Sequence, residues 1–448
     1  MNVKHSVLGL AMGLAFSGWA SAASLQEVVA ENIEHNPQVQ EALHNYAATV
    51  QGIRQAKAGY YPTIDATLGY GYEWTDKENG VDDVELNRRE ARLNLNQMIF
   101  DGFATSSEVA RQQAQSASRA SALKDQAQQY VLNASRAYLE VQRREQLLTL
   151  AKESLYNHVK IYDQIKRRSE SGMGTLASIQ QAEGRLALAE VNMLVAENNL
   201  RDAKASYMRV VGQPVPETLE PFDSSSLMLP ATVEEAVSKG LAMQPVAVLA
   251  QADVEEAMAQ RDAAKSRMSP RLDLEVERRW DEDIDGVEGQ DEDLTAMLRL
   301  RYNIYNGGGD QARIRQTEYQ IGEAQAIQRD AQRQIRESVE LSWNAYDTLK
   351  RQSEYLERHV ISSEDTRNSY QKQFDIGQRS LLDLLDTENE VFSAKNQLAD
   401  ARVDTEIAKL RILTGTGELL EAMEIPLPEI DEPMITEESQ MEMADSGQ

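Results

Sequence analysis

The chain contains no cysteine, and that one absence removes disulfides, thiolate metal centres and thiol nucleophiles. Aromatic residues are scarce, 6% of 448, and mean hydropathy is −0.53, so a large dry core is not expected. No apolar run approaches the ~18 residues that a membrane-spanning helix needs. The five histidines, at 5, 35, 44, 158 and 359, lack the paired spacing of a metal site. Positive charge is in deficit: 46 Lys and Arg face 73 Asp and Glu, a net charge of −27. Such a chain is a poor phosphate binder, so nucleic acid is not an expected partner. No Walker motif and no GxSxG occurs, and among so many acids a pair of carboxylates says nothing about acid–base catalysis. An enzyme is not expected.

Proline is missing from two long stretches, between Thr63 and Gln213 and between Arg271 and Ile425. Pro214, Pro216, Pro221 and Pro230 crowd the joint between them, and Pro426, Pro428 and Pro433 follow the second. Proline interrupts helices and strands, so the long gaps predict regular structure and the crowded segments predict linkers. The two stretches belong to two copies of one pattern. Leu25-Gln26-Glu27-Val28-Val29 ending in Asn36-Pro37 parallels Val233-Glu234-Glu235-Ala236-Val237 ending in Gln244-Pro245. Tyr61-Pro62 parallels Ser269-Pro270, and Ile99-Phe100-Asp101-Gly102 parallels Ile304-Tyr305-Asn306-Gly307. Ahead of the first copy, Lys4 and His5 precede the apolar run Val7 to Phe16, which ends in Ala20-Ser21-Ala22, the pattern of a cleaved secretory signal. The expected divisions are a signal at 1–22, repeat 1 at 23–213, a Pro-rich linker at 214–231, repeat 2 at 232–416 and an acidic tail at 417–448.

Each repeat opens with a short helical pattern and continues with two alternating segments. In repeat 1, Ile64, Ala66, Leu68, Tyr70, Tyr72 and Trp74 share one face of a strand, and Asp65, Thr67, Gly69, Gly71 and Glu73 share the other. Strands are expected at 63–75, 89–100, 271–280 and 294–305. Two helices follow in each repeat, at 102–171 and 175–212 and again at 309–376 and 380–413. The seam of the first runs Leu123, Ala127, Tyr130, Ala134, Ala137 and Val141 in coiled-coil steps of three and four. At about 1.5 Å per residue the long member is a rod of roughly 100 Å.

Alternating segments of about ten residues with aromatics near one end are the mark of transmembrane barrel strands, although an antiparallel sheet with one wet face has the same alternation. Four strands cannot close a barrel, for which about eight is the smallest common number. Closure then needs other chains: two give eight strands and three give twelve.

With these features in place, the sequence resembles TolC-like outer-membrane proteins. The resemblance rests on the doubled order, on Tyr61-Pro62 and Ser269-Pro270 entering strands, and on Phe100-Asp101-Gly102 and Tyr305-Asn306-Gly307 leaving them. Phe374-Asp375-Ile376-Gly377-Gln378-Arg379-Ser380-Leu381-Leu382-Asp383-Leu384-Leu385-Asp386 is similar to the family's second periplasmic turn. It implies a mixed α and β fold: a homotrimer with a twelve-strand transmembrane β-barrel continuous with a periplasmic α-helical coiled-coil barrel. It also implies partnership with a periplasmic adaptor and an inner-membrane transporter, in an outer membrane of Gram-negative type. Arg379 matches a gate arginine, Phe374 a gate tyrosine, and Asp383 and Asp386 the aspartates ringing the periplasmic entrance. Ser178 stands where the family carries an aspartate that bonds the gate arginine. Read locally, Ser380-x-x-Asp383 is also a capping-box pattern.

Three further features are open to more than one reading. Asp281, Asp283, Asp285, Gly286 and Glu292 satisfy the calcium-loop pattern D-x-D-x-D-G-x5-E, with weak affinity of roughly 10⁻⁴–10⁻³ M expected for an extracellular site. Their flanks are strands rather than helices, Glu288 occupies a position usually apolar, and eight of the thirteen residues from 281 to 293 are acidic, so a solvated acidic loop fits as well. Apart from calcium at this loop, no cofactor is expected. Asn306-Gly307-Gly308-Gly309-Asp310 reads as a strand-to-helix turn rather than a phosphate loop. The tail after Thr416 has ten acids and no Lys or Arg, and reads as a solvated segment. The expected function is a passive exit duct driven by an inner-membrane transporter, of ABC type, in type I protein secretion. The alternatives are a multidrug efflux duct of the same fold and a secreted coiled-coil or adhesin stalk.

Overall fold

The computed structural model describes residues 23–76, 83–172 and 174–429. The expected signal at 1–22 and the tail beyond 429 lie outside them. In chain order the elements are α1 (Leu25–Ile33), α2 (Pro37–Ala58), β1 (Thr63–Thr75), β2 (Val84–Phe100), α3 (Ala104–Glu170) and α4 (Leu176–Val211). The order then repeats as α5 (Val233–Met243), α6 (Pro245–Ser266), β3 (Arg271–Ile284), β4 (Val287–Arg301), α7 (Gly309–Asp375) and α8 (Leu381–Thr416), with a short α9 (Leu419–Ala422) after it. The helices α3 and α7 have 67 residues each, and α4 and α8 have 36 each.

Where one short helix is expected ahead of each hairpin, the structure has two. The side chains of Asn36 and Gln244 accept hydrogen bonds from the first amides of α2 and α6, with Pro37 and Pro245 at the opening positions. The second helices are faint in the sequence because α2 fully buries only Val39, and α6 buries mostly small residues, among them Ala250, Ala252, Ala264 and Ser266.

The four strands form one antiparallel sheet in the order β1-β2-β3-β4. Alternation decides its faces. Ile64 pairs with Leu95, Leu93 lies opposite Ala66, Val276 pairs with Leu95 on its other side, and Leu272 pairs with Leu300, all on one face. The apolar side chains there stand free: Leu68 is 83% exposed, and Tyr70, Tyr72, Leu294 and Leu298 are also exposed. The opposite face is a lattice of ion pairs. Arg271 and Arg301 both meet the buried Asp273, at 2.9 and 3.0 Å, Arg299 meets Glu275 at 2.7 Å, and Arg92 meets Glu90 at 3.1 Å.

The strand bounds differ from those expected. β2 begins at Val84 rather than 89, β3 continues to Ile284 rather than 280, and β4 begins at Val287 rather than 294. The acid-rich tips pair because arginines face them: Arg279 meets Asp293 directly across the ladder at 2.8 Å, and Arg278 donates to Glu292 at 2.5 Å. β4 also stops at Arg301 instead of 305. Arg301 pairs with Arg271, the residue after Pro270, so residues 302–305 have no strand opposite them.

Two compact units emerge from the contacts of the described residues: those within 23–32, 133–226 and 349–407, and those within 33–132, 227–348 and 408–429. The second contains the sheet and a cluster of Ala236, Val237, Ile335 and Val339. Gly240 lies against that cluster, where an added Cβ would come within 2.8 Å of the Gly415 carbonyl oxygen. In the first unit Tyr138 and Tyr207 are almost fully buried. The Tyr138 hydroxyl lies 2.8 Å from the Ala23 carbonyl and 2.6 Å from that of Glu220, clamping the linker onto α3.

Burial pushes the hydroxyls of both tyrosines up, that of Tyr207 to about 12, with the charge of Glu31 adding to its shift. Each stabilises the fold fully below the unfolded tyrosine value of about 10, and that stabilisation is lost as pH rises through the folded value. The first unit should therefore unfold between about pH 10 and pH 12 as tyrosinate absorbance appears. Tyr207→Phe should move this alkaline midpoint upward, and an unchanged midpoint would count against the buried hydroxyl as its cause.

Candidate functional site

All four residues singled out at the second helical turn lie in the first unit, where α7 gives way to α8. The turn is a Schellman motif. Gly377 adopts φ +76, its amide reaches the Phe374 carbonyl at 3.0 Å, and the Gln378 amide reaches that of Gln373 at 2.8 Å. Ser380 then opens α8. Its hydroxyl accepts from the Asp383 amide at 3.2 Å and donates to the Asp383 carboxylate at 2.9 Å, the capping arrangement that the spacing predicts. The corresponding start of α4 is built alike: Thr175 Oγ1 accepts from the Ser178 amide at 3.2 Å, and the two hydroxyls are 2.9 Å apart. Ser178 is thus occupied in capping its own helix.

Phe374 is buried, 4% exposed, among Ile161 and Ile165 of α3, Ala182 of α4 and Leu381, Leu384 and Leu385 of α8. The guanidinium of Arg168 sits 4.5 Å from the centre of its ring and donates to the carbonyls of Phe374 and Asp375 at 3.1 and 2.9 Å. One side chain therefore stacks on the aromatic and neutralises the carbonyl end of α7. The ring that resembles a gate aromatic is a core residue that closes the four-helix end.

Arg379 turns to its own hairpin. It stacks on Tyr370 at 4.0 Å, donates to Gln373 Oε1 at 3.1 Å and stands 3.7 Å from the Asp383 carboxylate. Asp386, one turn further along, accepts from Arg185 of α4 at 2.9 Å. The structure thus joins Arg379 with Asp383, and gives Asp386 a cation from the other repeat. Higher in the same helices the buried Glu388 accepts from Arg367 and from Asn157, each at 3.2 Å. Arg168, Arg185 and Glu388 carry no local sequence signal, because their partners lie about 200 or more residues away or are defined only by packing; Arg367 alone is close in sequence to its partner.

The four carboxylates of the calcium pattern do not converge. Glu292 lies opposite Trp280, so alternation sends it to the face away from Asp281. Glu292 is bound to Arg278, Asp283 accepts from the Gly289 amide at 2.9 Å, and Asp285 meets Arg88 at 3.1 Å. Asp281 is buried in the sheet. Among the described residues no group of three or more His, Asp or Glu is placed to hold a metal ion. The expected loop is instead a strand pair closed by a tight tip, in which Asp283, Asp285 and Gly286 have positive φ. Glu73 of β1 secures that tip, accepting from the amides of Asp285 at 3.2 Å and Gly286 at 2.7 Å.

Among known proteins, the sequence model of the outer membrane efflux protein family matches residues 28–213 and 239–418, one segment in each repeat. The chain is 26% identical over 329 residues to the outer membrane efflux protein BepC of Brucella suis biovar 1 (strain 1330), covering 73% of this chain and 72% of that protein. It is 24% identical over 438 residues to the outer membrane protein TolC of Escherichia coli (strain K12), covering 93% and 87%. The solved structure of the Campylobacter jejuni CmeC outer membrane channel superposes with a TM-score of 0.77 at 14% identity, over 93% of this chain and 89% of that one. At that identity the likeness is one of fold alone: long helices and one small antiparallel sheet.

Replacing Phe374 by Ala should cost about 3–5 kcal/mol at the helical end. Phe374→Leu should cost less than about 1.5 kcal/mol. Hydrogen exchange of amides 370–390 would accelerate strongly in the first variant and little in the second. Equal protection in both would show that the ring does not anchor the turn.

Proposed function

Because the chain belongs to the outer membrane efflux protein family, and is thereby a channel protein of the Gram-negative outer membrane, we propose that three copies of it form one exit duct. In this reading the twelve strands close a barrel in the membrane, continuous with a periplasmic barrel made from the helices of the same chains. The observation that carries it is the sheet. Among the described residues its order leaves β1 and β4 each with one unpaired edge, and its two faces are apolar and charged. Hydrocarbon does not tolerate an open edge, so edges of neighbouring copies must satisfy each other. The apolar face then meets lipid, with Tyr70, Tyr72 and Trp74 in the position of an aromatic girdle, and the ion-pair lattice lines water.

Such a duct is passive. An inner-membrane transporter, with a periplasmic adaptor between the two, supplies the work. Arg379, Asp383 and Asp386 belong to the periplasmic entrance in this reading, and Phe374 holds the helices that carry them. The favoured cargo is protein exported by a type I, ABC-driven system, supported by the acid-rich strand tips and tail. Small-molecule efflux is the alternative. A secreted stalk would have no use for two matched hairpins joined in one sheet.

Mass measurement in detergent should give three chains, and a stable folded monomer would defeat the closure argument. In planar bilayers, Asp383→Ala combined with Asp386→Ala should move ion preference toward anions, because Arg185 and Arg379 lose their counter-charges. Unchanged selectivity would remove both carboxylates from the entrance. Deleting the gene should retain a secreted protein inside the cell without altering drug susceptibility, and the reverse outcome would assign the duct to efflux.

A further inference from the structure

The reading of Asp386 as an entrance residue supports a further step: we propose that Arg185 is a selectivity-determining residue of the duct, the fixed counter-charge that cancels Asp386. The contact is a 2.9 Å hydrogen bond between a guanidinium of repeat 1 and a carboxylate of repeat 2. Neither helix supplies this compensation alone. On α4 the positions three and four residues from Arg185 are Gln181, Ala182, Leu188 and Ala189, none of them acidic. On α8 those around Asp386 are Leu382, Asp383, Asn389 and Glu390, none of them basic and two of them acidic. Each charge is left over on its own helix and is met only by packing against the other.

The pair is also badly suited to a structural role. Its side chains are 33% and 57% exposed, and ion pairs so open to water contribute little to stability. The effect on a passing ion is of a different order. An isolated carboxylate acts at a distance as a net charge, whereas a carboxylate 2.9 Å from a guanidinium acts as a short dipole, whose field fades far sooner. Arg379 lies 3.7 Å from Asp383, so each of the two entrance carboxylates has a guanidinium beside it. Three copies then present six such carboxylates, each with a guanidinium beside it, and the field of each is reduced. Removing Arg185 uncovers three carboxylates, one in each copy, at the entrance.

The test is the reversal potential of the full-length channel in a potassium chloride gradient, for wild type, Arg185→Gln, Arg185→Lys, Asp386→Asn and the double variant Arg185→Gln with Asp386→Asn. Each is first shown to retain the trimer mass in detergent. Arg185→Gln should raise the cation-to-anion permeability ratio by roughly two- to five-fold, the span that three uncovered charges produce at a pore-radius distance in moderate salt. Arg185→Lys should keep the wild-type value. Asp386→Asn should move the ratio the opposite way, and the double variant should return it to wild type. If Asp386→Asn shifts the ratio and Arg185→Gln does not, the counter-charge proposal is overturned while the entrance reading stands. If neither shifts it, both are overturned.

Discussion

A β-strand has hydrogen-bonding groups along both edges, and among the described residues of this sheet β1 and β4 each use only one. In water the unused groups would be solvated. In hydrocarbon each unpaired group costs several kcal/mol, so an open sheet is not a membrane structure. The alternation of side chains makes water an equally poor home, since it places Leu68, Tyr70, Leu294 and Leu298 together on an uncovered face. The chain therefore carries a surface for lipid and a pair of edges that only more strands can satisfy.

Charge does the complementary work. On both faces of the hairpin tips, arginines and carboxylates of neighbouring strands pair across the ladder, Arg279 with Asp293 on the polar face and Arg278 with Glu292 on the other, and this lets most of the acidic stretch 281–293 remain strand around its tight turn. The same device recurs between helices, where Arg168 covers both the Phe374 ring and the carbonyl end of α7. A chain of net charge −27 has few cations to spare. Several of them serve two acceptors at once, as Arg301 does with Asp273 and Glu275.

Much of this was legible in the sequence, for reasons that also explain what was not. Period-two alternation reads directly as strand, and the absence of proline as long helix, because both are properties of neighbouring residues. The Ser380–Asp383 cap was visible on the same ground, as a contact three residues apart. Strand ends were misplaced where stabilisation came from the opposite strand: an acidic run looks like loop until Arg278 and Arg279 are set across from it. The calcium pattern counted residues along the chain, but the strand pleat sends Asp281 and Glu292 to opposite faces. Phe374 could be matched by resemblance, yet its burial depends on Ile161, Ile165 and Ala182, more than 190 residues away. Nothing on its own helix marks Arg185, and only packing brings it to Asp386.

If copies of the chain close one ring as proposed, the two unused edges also have a genetic consequence. A copy whose β1 edge is spoiled, for instance by a proline, keeps an intact β4 and still pairs with a healthy neighbour. It enters the ring and then halts its closure. Healthy copies made in the same cell are thereby drawn into dead assemblies, so such an allele would behave as dominant. A lesion that abolishes folding outright removes only its own product and would be recessive.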